Sequence, residues 1–140
     1  VDAGIAIIDK RRPEHGEAEI VHIVGDVKNK NAVLIDDIID TAGTITRAAQ
    51  ALKENGAESV RIIATHPVFS GEAVKRLKDV DVEVVVTDSI NIPKEQQWKK
   101  LKIISLAEIL SATLQAVYEG KPMGVLFEDM ANKVAKKKEK

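Results

Sequence analysis

Short runs of consecutive apolar residues recur along this chain, separated by stretches in which apolar residues return every three or four positions. The runs are Ile5-Ala6-Ile7-Ile8, Ile20-Val21-His22-Ile23-Val24, Ala32-Val33-Leu34-Ile35, Val60-Arg61-Ile62-Ile63-Ala64, Val82-Glu83-Val84-Val85-Val86 and the shorter Lys102-Ile103-Ile104. Continuous, β-branched runs of this length predict strands buried on both faces of a parallel sheet. Between them, Ile45, Ala48, Ala49 and Leu52 fall at i, i+3, i+4 and i+7, one face of a helix that Asn55-Gly56 stops. Ala73, Val74 and Leu77 mark a shorter helix after Gly71. Ser105-Leu106-Ala107-Glu108 has the spacing of a capping box, opening a helix through Leu110, Leu114 and Val117 that Gly120 ends. Strands alternating with helices predict an α/β domain with a mainly parallel sheet and right-handed crossovers. There is no internal repeat. The Lys-rich residues 133–140 lack an apolar period, so the pattern predicts a domain over residues 1–130 and a solvated tail over 131–140.

Composition narrows the chemistry. The chain has 140 residues, 44% of them apolar, which suits one compact domain. Aromatics are only 3%, so the core must be built from Ile, Val, Leu and Ala, and stacking platforms for single-stranded nucleic acid are poorly supplied. A net charge of −1 gives no overall field for nucleic acid or an acidic membrane. The absence of cysteine excludes disulfides, Cys-ligated zinc and thiol catalysis, and fits a cytoplasmic protein. No apolar run approaches the roughly 18 residues of a membrane helix. Neither a nucleic-acid nor a membrane partner is expected.

The chemistry is concentrated in Val33-Leu34-Ile35-Asp36-Asp37-Ile38-Ile39-Asp40-Thr41-Ala42-Gly43-Thr44. A buried strand ends in adjacent carboxylates, a short loop of small and hydroxyl residues follows, and a helix begins. Ligands of open α/β sheets sit at the carboxyl ends of strands. A helix start offers unpaired N–H groups and the positive end of a dipole, a natural phosphate site. Thr41 and Thr44 add hydroxyls, while Ala42 and Gly43 are small enough to let a phosphate reach the backbone. Asp36 and Asp37 would repel a phosphate. They suit the hydroxyls of a neighbouring polyol, or a bound Mg²⁺, which prefers oxygen ligands. The simpler reading makes Asp36, Asp37 and Asp40 turn and capping residues. Three acids followed by Thr-Ala-Gly-Thr favour a phosphorylated-sugar site instead.

This string resembles the phosphoribosyl-diphosphate signature of the type I phosphoribosyltransferase fold: two acids, two apolar residues, then Asp-Thr-Gly-Gly-Thr. Ala42 replaces the first glycine. By itself the string does not separate transferases that consume phosphoribosyl diphosphate from the diphosphokinase that makes it. Asp9-Lys10-Arg11-Arg12-Pro13 does. Read alone it is a basic loop after the first strand. With Ile7 and Ile8 before it, it is similar to the catalytic flexible loop of ribose-phosphate diphosphokinases. Thr65-His66-Pro67-Val68-Phe69-Ser70-Gly71 and Thr87-Asp88-Ser89-Ile90-Asn91-Ile92-Pro93 also resemble segments of that family, so the likeness runs from Gly4 to Phe127.

The resemblance implies a type I phosphoribosyltransferase-like domain with a mainly parallel sheet flanked by helices. It implies transfer of the diphosphoryl group of Mg-ATP to the anomeric hydroxyl of ribose 5-phosphate. Thr41, Ala42, Gly43 and Thr44 would hold the 5-phosphate, and Asp40 would be a further substrate-binding residue. Asp36 and Asp37 would hold the ribose hydroxyls and, through them, the metal. Lys10 and Arg12 would be the catalytic cations on the ATP phosphates. Complete family members are longer, so this chain is expected to be the C-terminal half. The missing N-terminal half would supply most of the adenine pocket, a metal-binding His and the pyrophosphate loop. A homo-oligomer is also implied. Family members with an allosteric phosphate site carry serines before a terminal Leu-Phe, whereas Lys121-Pro122-Met123-Gly124-Val125 stands there in this chain. The competing expectations are a phosphoribosyltransferase and a non-catalytic regulatory subunit of the same fold. Of the remaining residues, His22 and Trp98 read as packing residues and His15 as exposed. His66 reads as lining either the site or a subunit contact.

Overall fold

The computed structural model describes residues 4–11 and 20–136. They fall into two compact units, divided between Ile104 and Ser105. In the first, β1 (Ile7–Arg11) and β2 (Ile20–Val24) form an antiparallel pair, with Ile7 opposite Val24 and Arg11 opposite Ile20. The apolar runs place both strands correctly but not their pairing, which was expected to be parallel. Only residues 12–19 connect them, too few for the crossover of a dozen or more that parallel neighbours need. Pairing also carries β1 through Lys10 and Arg11, so these cations belong to a strand rather than to the loop after it.

The main sheet has four parallel strands in the order β3 (Asn31–Ile39), β4 (Ser59–Pro67), β5 (Glu83–Thr87) and β6 (Leu101–Ile104). Helix α1 (Gly43–Glu54) connects β3 to β4, and α2 (Ala73–Val80) connects β4 to β5. A 3-10 turn, Lys94–Gln96, precedes β6. The predicted helical stripe is the buried one: Ile45, Ala48, Ala49 and Leu52 on α1, with Ala73 and Leu77 on α2. All of these but Ala48 join one core cluster with Ile39, Val60, Ile62, Ala64, Val84 and Val86 from alternate strand positions. Full burial of a side chain such as Ile62 or Leu77 contributes about 2 kcal/mol. Asn55 and Gly56 end α1 as expected, Gly56 taking φ 84° and Asn55 N–H bonding the Ala51 carbonyl.

The strands are not buried on both faces. Val33 and Ile35 of β3 are exposed, as is Ile104 of β6, while Ala32 and Leu34, which alternate with them, pack against the core. On this open face Glu83 of β5 bridges Arg61 of β4 and Lys102 of β6, the Arg61 Nε–Glu83 Oε2 distance being 2.5 Å. The two cations, Lys102 first, hold the Glu83 carboxyl below its ordinary value. A continuous apolar run predicted a strand covered on both sides; in this unit α1 and α2 account for one.

The second unit pairs α3 (Ala107–Tyr118) with α4 (Met123–Lys136). Gly120, at φ 65°, turns the chain between them, and Lys121 N–H bonds the Ala116 carbonyl at 2.8 Å. The capping box is partly realised. Ser105 Oγ accepts from the Ala107 N–H at 3.2 Å, one residue short of the box spacing. The helix is where the period put it, but Leu110, Leu114 and Val117 are exposed and Ala116 is buried. Apolar spacing fixes a helix and its stripe, not what covers the stripe. Helix α4 continues into the Lys-rich stretch as far as Lys136.

Candidate active site

The loop that follows β3 is shaped by one unusual residue. Ala42 has φ 61° and ψ 2°, the left-handed region, and α1 begins immediately after it. For an L-residue that conformation costs roughly 1–2 kcal/mol. The Ala42 methyl offsets part of this, because it is buried in the core cluster with Ile45, Ile39 and Phe69 and a buried methyl is worth about 0.8 kcal/mol. That accounts for an alanine where the related signature has glycine. Ala42 is also the N-cap, and no side chain caps the helix. The first-turn amides of α1 therefore keep no side-chain acceptor.

The helix side of the loop is fixed by Thr46, the one buried polar residue among those described. Its Oγ1 donates to the Ala42 carbonyl at 2.7 Å, which also accepts the Thr46 N–H at 3.1 Å. The strand side is fixed by the segment leaving β4. Phe69 N–H bonds the Ile39 carbonyl at 3.0 Å and Ser70 N–H bonds the Asp40 carbonyl at 3.1 Å. Ser70 Oγ donates to the Asp40 carboxylate. Phe69 itself is left-handed, at φ 50°, and is buried against Trp98 with ring centroids 6.1 Å apart. Trp98 is the packing residue its context suggested. From α2, Arg76 Nη1 donates to the Thr41 carbonyl at 2.9 Å.

A cleft opens beside this loop, lined by Thr41, Gly43, Thr44, Thr46, Arg47 and Arg76. Three of the anticipated phosphate residues thus line one cleft together, with Ala42 buried next to them. Asp36, Asp37 and Asp40 are exposed and stand outside its lining. Asp36 Oδ1 accepts the Asp37 N–H at 2.9 Å. Lys10 is paired with Val21 in the hairpin, and Arg12 lies outside the described residues, as does His15. His22 is in β2, opposite Asp9.

His66, partly buried at the end of β4, places Nδ1 3.0 Å from Ser89 Oγ. Ser89 Oγ also donates to the Thr65 carbonyl at 3.0 Å, and Thr87 Oγ1 donates to the same carbonyl at 2.6 Å. A serine hydroxyl has one proton, so with that proton on the Thr65 carbonyl the contact to Ser89 Oγ is donated by the imidazole Nδ1. The two segments noted for their resemblance, around Thr65 and Thr87, are therefore joined at the carboxyl end of the sheet.

Sequence reasoning missed Ser70, Thr46, Arg47 and Arg76. Arg47 and Arg76 sit among exposed polar helix positions, where a cation normally signals only a solvated face. Among the described residues there is no cluster of three or more His, Cys, Asp or Glu able to enclose a metal ion. Two carboxylates suit Mg²⁺ only in its usual arrangement, where water and substrate oxygens complete the shell. No helix of the described residues is long and apolar enough to cross a membrane.

Comparison with known proteins decides the family. The model of the phosphoribosyl synthetase-associated domain matches residues 7–128. The chain belongs to this family. It is 46% identical over 128 residues to a ribose-phosphate pyrophosphokinase of Caldanaerobacter subterraneus, covering 91% of this chain and 40% of that protein. Over 127 residues it is 50% identical to the enzyme of that name from Bacillus caldolyticus, covering 90% of this chain and 40% of the relative. The crystal structure of phosphoribosylpyrophosphate synthetase from Mycobacterium smegmatis superposes with a TM-score of 0.74 at 40% identity, covering 82% of this chain and 37% of that one. The phosphoribosyl synthetase-associated chain thus spans about 40% of the length of the curated relatives it matches.

Proposed function

We propose that this chain carries the ribose 5-phosphate site of a ribose-phosphate diphosphokinase, corresponding to the C-terminal half of that enzyme. The reaction moves the diphosphoryl group of Mg-ATP to the anomeric hydroxyl of ribose 5-phosphate, giving phosphoribosyl diphosphate and AMP. The observation that carries this reading is the uncapped start of α1, left-handed at Ala42, with Thr41, Gly43 and Thr44 lining a cleft that two arginines also border. Exposed helix amides with flanking cations are what a phosphate monoester requires. The names of the relatives supply the reaction.

On this reading residues 41–44 bind the 5-phosphate, and Asp36 and Asp37 accept hydrogen bonds from the ribose hydroxyls. Magnesium, when bound, draws charge from the phosphate oxygens. Asp36 and Asp37 would orient the sugar and hold the metal through its hydroxyls. Lys10 and Arg12 neutralise charge on the group in transit. Little covalent work falls to the protein in phosphoryl transfer; positioning and charge do most of it. The remaining length of the relatives would supply the adenine pocket, and a homo-oligomer is the expected assembly.

Calorimetry on the chain tests the site: ribose 5-phosphate with Mg²⁺ should bind, and ribose without its phosphate should bind far more weakly. Equal heats for the two sugars would refute the phosphate loop. Joined to the rest of its enzyme, Lys10→Ala should lose roughly 100- to 1000-fold in rate while leaving ribose 5-phosphate affinity unchanged.

A further inference from the structure

Arg76 reaches the loop from a helix 35 residues away in sequence. Its Nη1 donates to the Thr41 carbonyl at 2.9 Å, and its Nη2 is 4.0 Å from Glu72 Oε2, one turn earlier on the same helix. The carbonyl oxygen of Thr41 and the N–H of Ala42 belong to one planar peptide unit, and no described peptide bond is cis. In a trans peptide these two groups point in opposite directions. A guanidinium fixed on the oxygen therefore sets the direction of the Ala42 N–H and polarises it, as charge-assisted bonds in a chain do. The next peptide unit is fixed as well, because the Ala42 carbonyl accepts both the N–H and the Oγ1 of Thr46. A left-handed residue followed by a right-handed helix turns successive N–H groups toward one concavity, a shape that accepts anions.

We propose that Arg76 is a positioning residue for the phosphate of the sugar substrate, acting through the Thr41–Ala42 peptide by aiming the Ala42 N–H into the anion site. This rests on the sugar-phosphate reading above and adds a residue to it. The sequence gives no sign of the role, since Lys75, Arg76 and Lys78 all sit on the polar side of a short amphipathic helix. Arg76 also borders the cleft, so direct contact with the phosphate is the rival account, and the experiment must separate the two.

The test is Arg76→Met, which keeps the length of the side chain and removes its donors, with Arg76→Lys beside it. Two quantities are read on the whole chain: the affinity for ribose 5-phosphate by calorimetry, and the Ala42 amide proton shift by NMR without ligand. Losing one charge-assisted bond should weaken binding about tenfold in Arg76→Met, and less in Arg76→Lys. The Ala42 amide should move upfield in ligand-free Arg76→Met, because the Thr41 carbonyl of the same peptide is no longer polarised. Weaker binding with an unmoved Ala42 amide would assign direct contact and overturn positioning. Unchanged affinity would overturn any role in recognition. A wild-type chain that binds no ribose 5-phosphate removes the functional reading, and with it the recognition role; the amide shift then decides only the orienting contact. Should Arg76→Met fail to fold, Arg76→Lys gives the same two readings with smaller changes.

Discussion

Strand β3 delivers two polar groups to the carboxyl end of the sheet, and the structure treats them differently. Residues 40–44 are tied from three directions: by Ser70 and Phe69 leaving β4, by Thr46 within α1, and by Arg76 from α2. Asp36 and Asp37 are exposed, and the hydrogen bond formed by a carboxylate there is the local one from the Asp37 N–H. The contrast follows from what each group would meet. A phosphate is recognised by backbone dipoles, which act well only if they are already aimed before the ligand arrives. Sugar hydroxyls can turn to suit a carboxylate, so exposed acids without distant ties can serve them. On the proposed reading, one half of the site is built in advance and the other is left to form on binding.

The comparison breaks most readily at Ala42. A β-branched side chain at φ 61° is a steric outlier, so Ala42→Val should lose about 2 kcal/mol of stability. Urea unfolding measures this, and ribose 5-phosphate binding should fall with it. Ala42→Gly should unfold close to the wild-type midpoint, relief of strain being offset by the lost methyl and by backbone entropy. A valine variant as stable as wild type would mean that the loop does not hold this conformation.

Ser70 gives the next largest effect. Ser70→Ala removes the donor to the Asp40 carboxylate and should lower stability by about 1 kcal/mol. The urea midpoint reports it, with the slope unchanged. A midpoint that stays in place would show that the two main-chain bonds from Phe69 and Ser70 hold the loop unaided.

Much of this frame was legible in the sequence. The six apolar runs all became strands, and the i, i+3, i+4, i+7 stripe of α1 is the buried one. The loop proposed to hold the phosphate could be singled out because its elements are local: strand end, small residues and helix start follow one another in the chain. What escaped was non-local. Antiparallel pairing of β1 with β2 depends on the length of their connection rather than on either run. The exposed Val33 and Ile35 depend on which helices reach that face. Ser70 and Arg76 act across 30 and 35 residues, and no apolar period in a single sequence marks a side chain for a distant acceptor.

The smallest expected effect on stability sharpens the contrast most. Exposed residues without distant partners usually change stability by less than about 0.5 kcal/mol, so Asp36→Asn with Asp37→Asn should unfold at the wild-type urea midpoint. Binding should separate from stability here. Ribose 5-phosphate should bind more weakly, because the carboxylates that accept from its hydroxyls are gone. Inorganic phosphate should bind as well as before or slightly better, because two negative charges near the anion loop have been removed. A pair of calorimetric titrations therefore divides the site along its own seam. If the double variant loses phosphate and sugar phosphate equally, the acids act by holding the loop rather than by holding the sugar, and the division between a prebuilt half and an adaptable half is wrong.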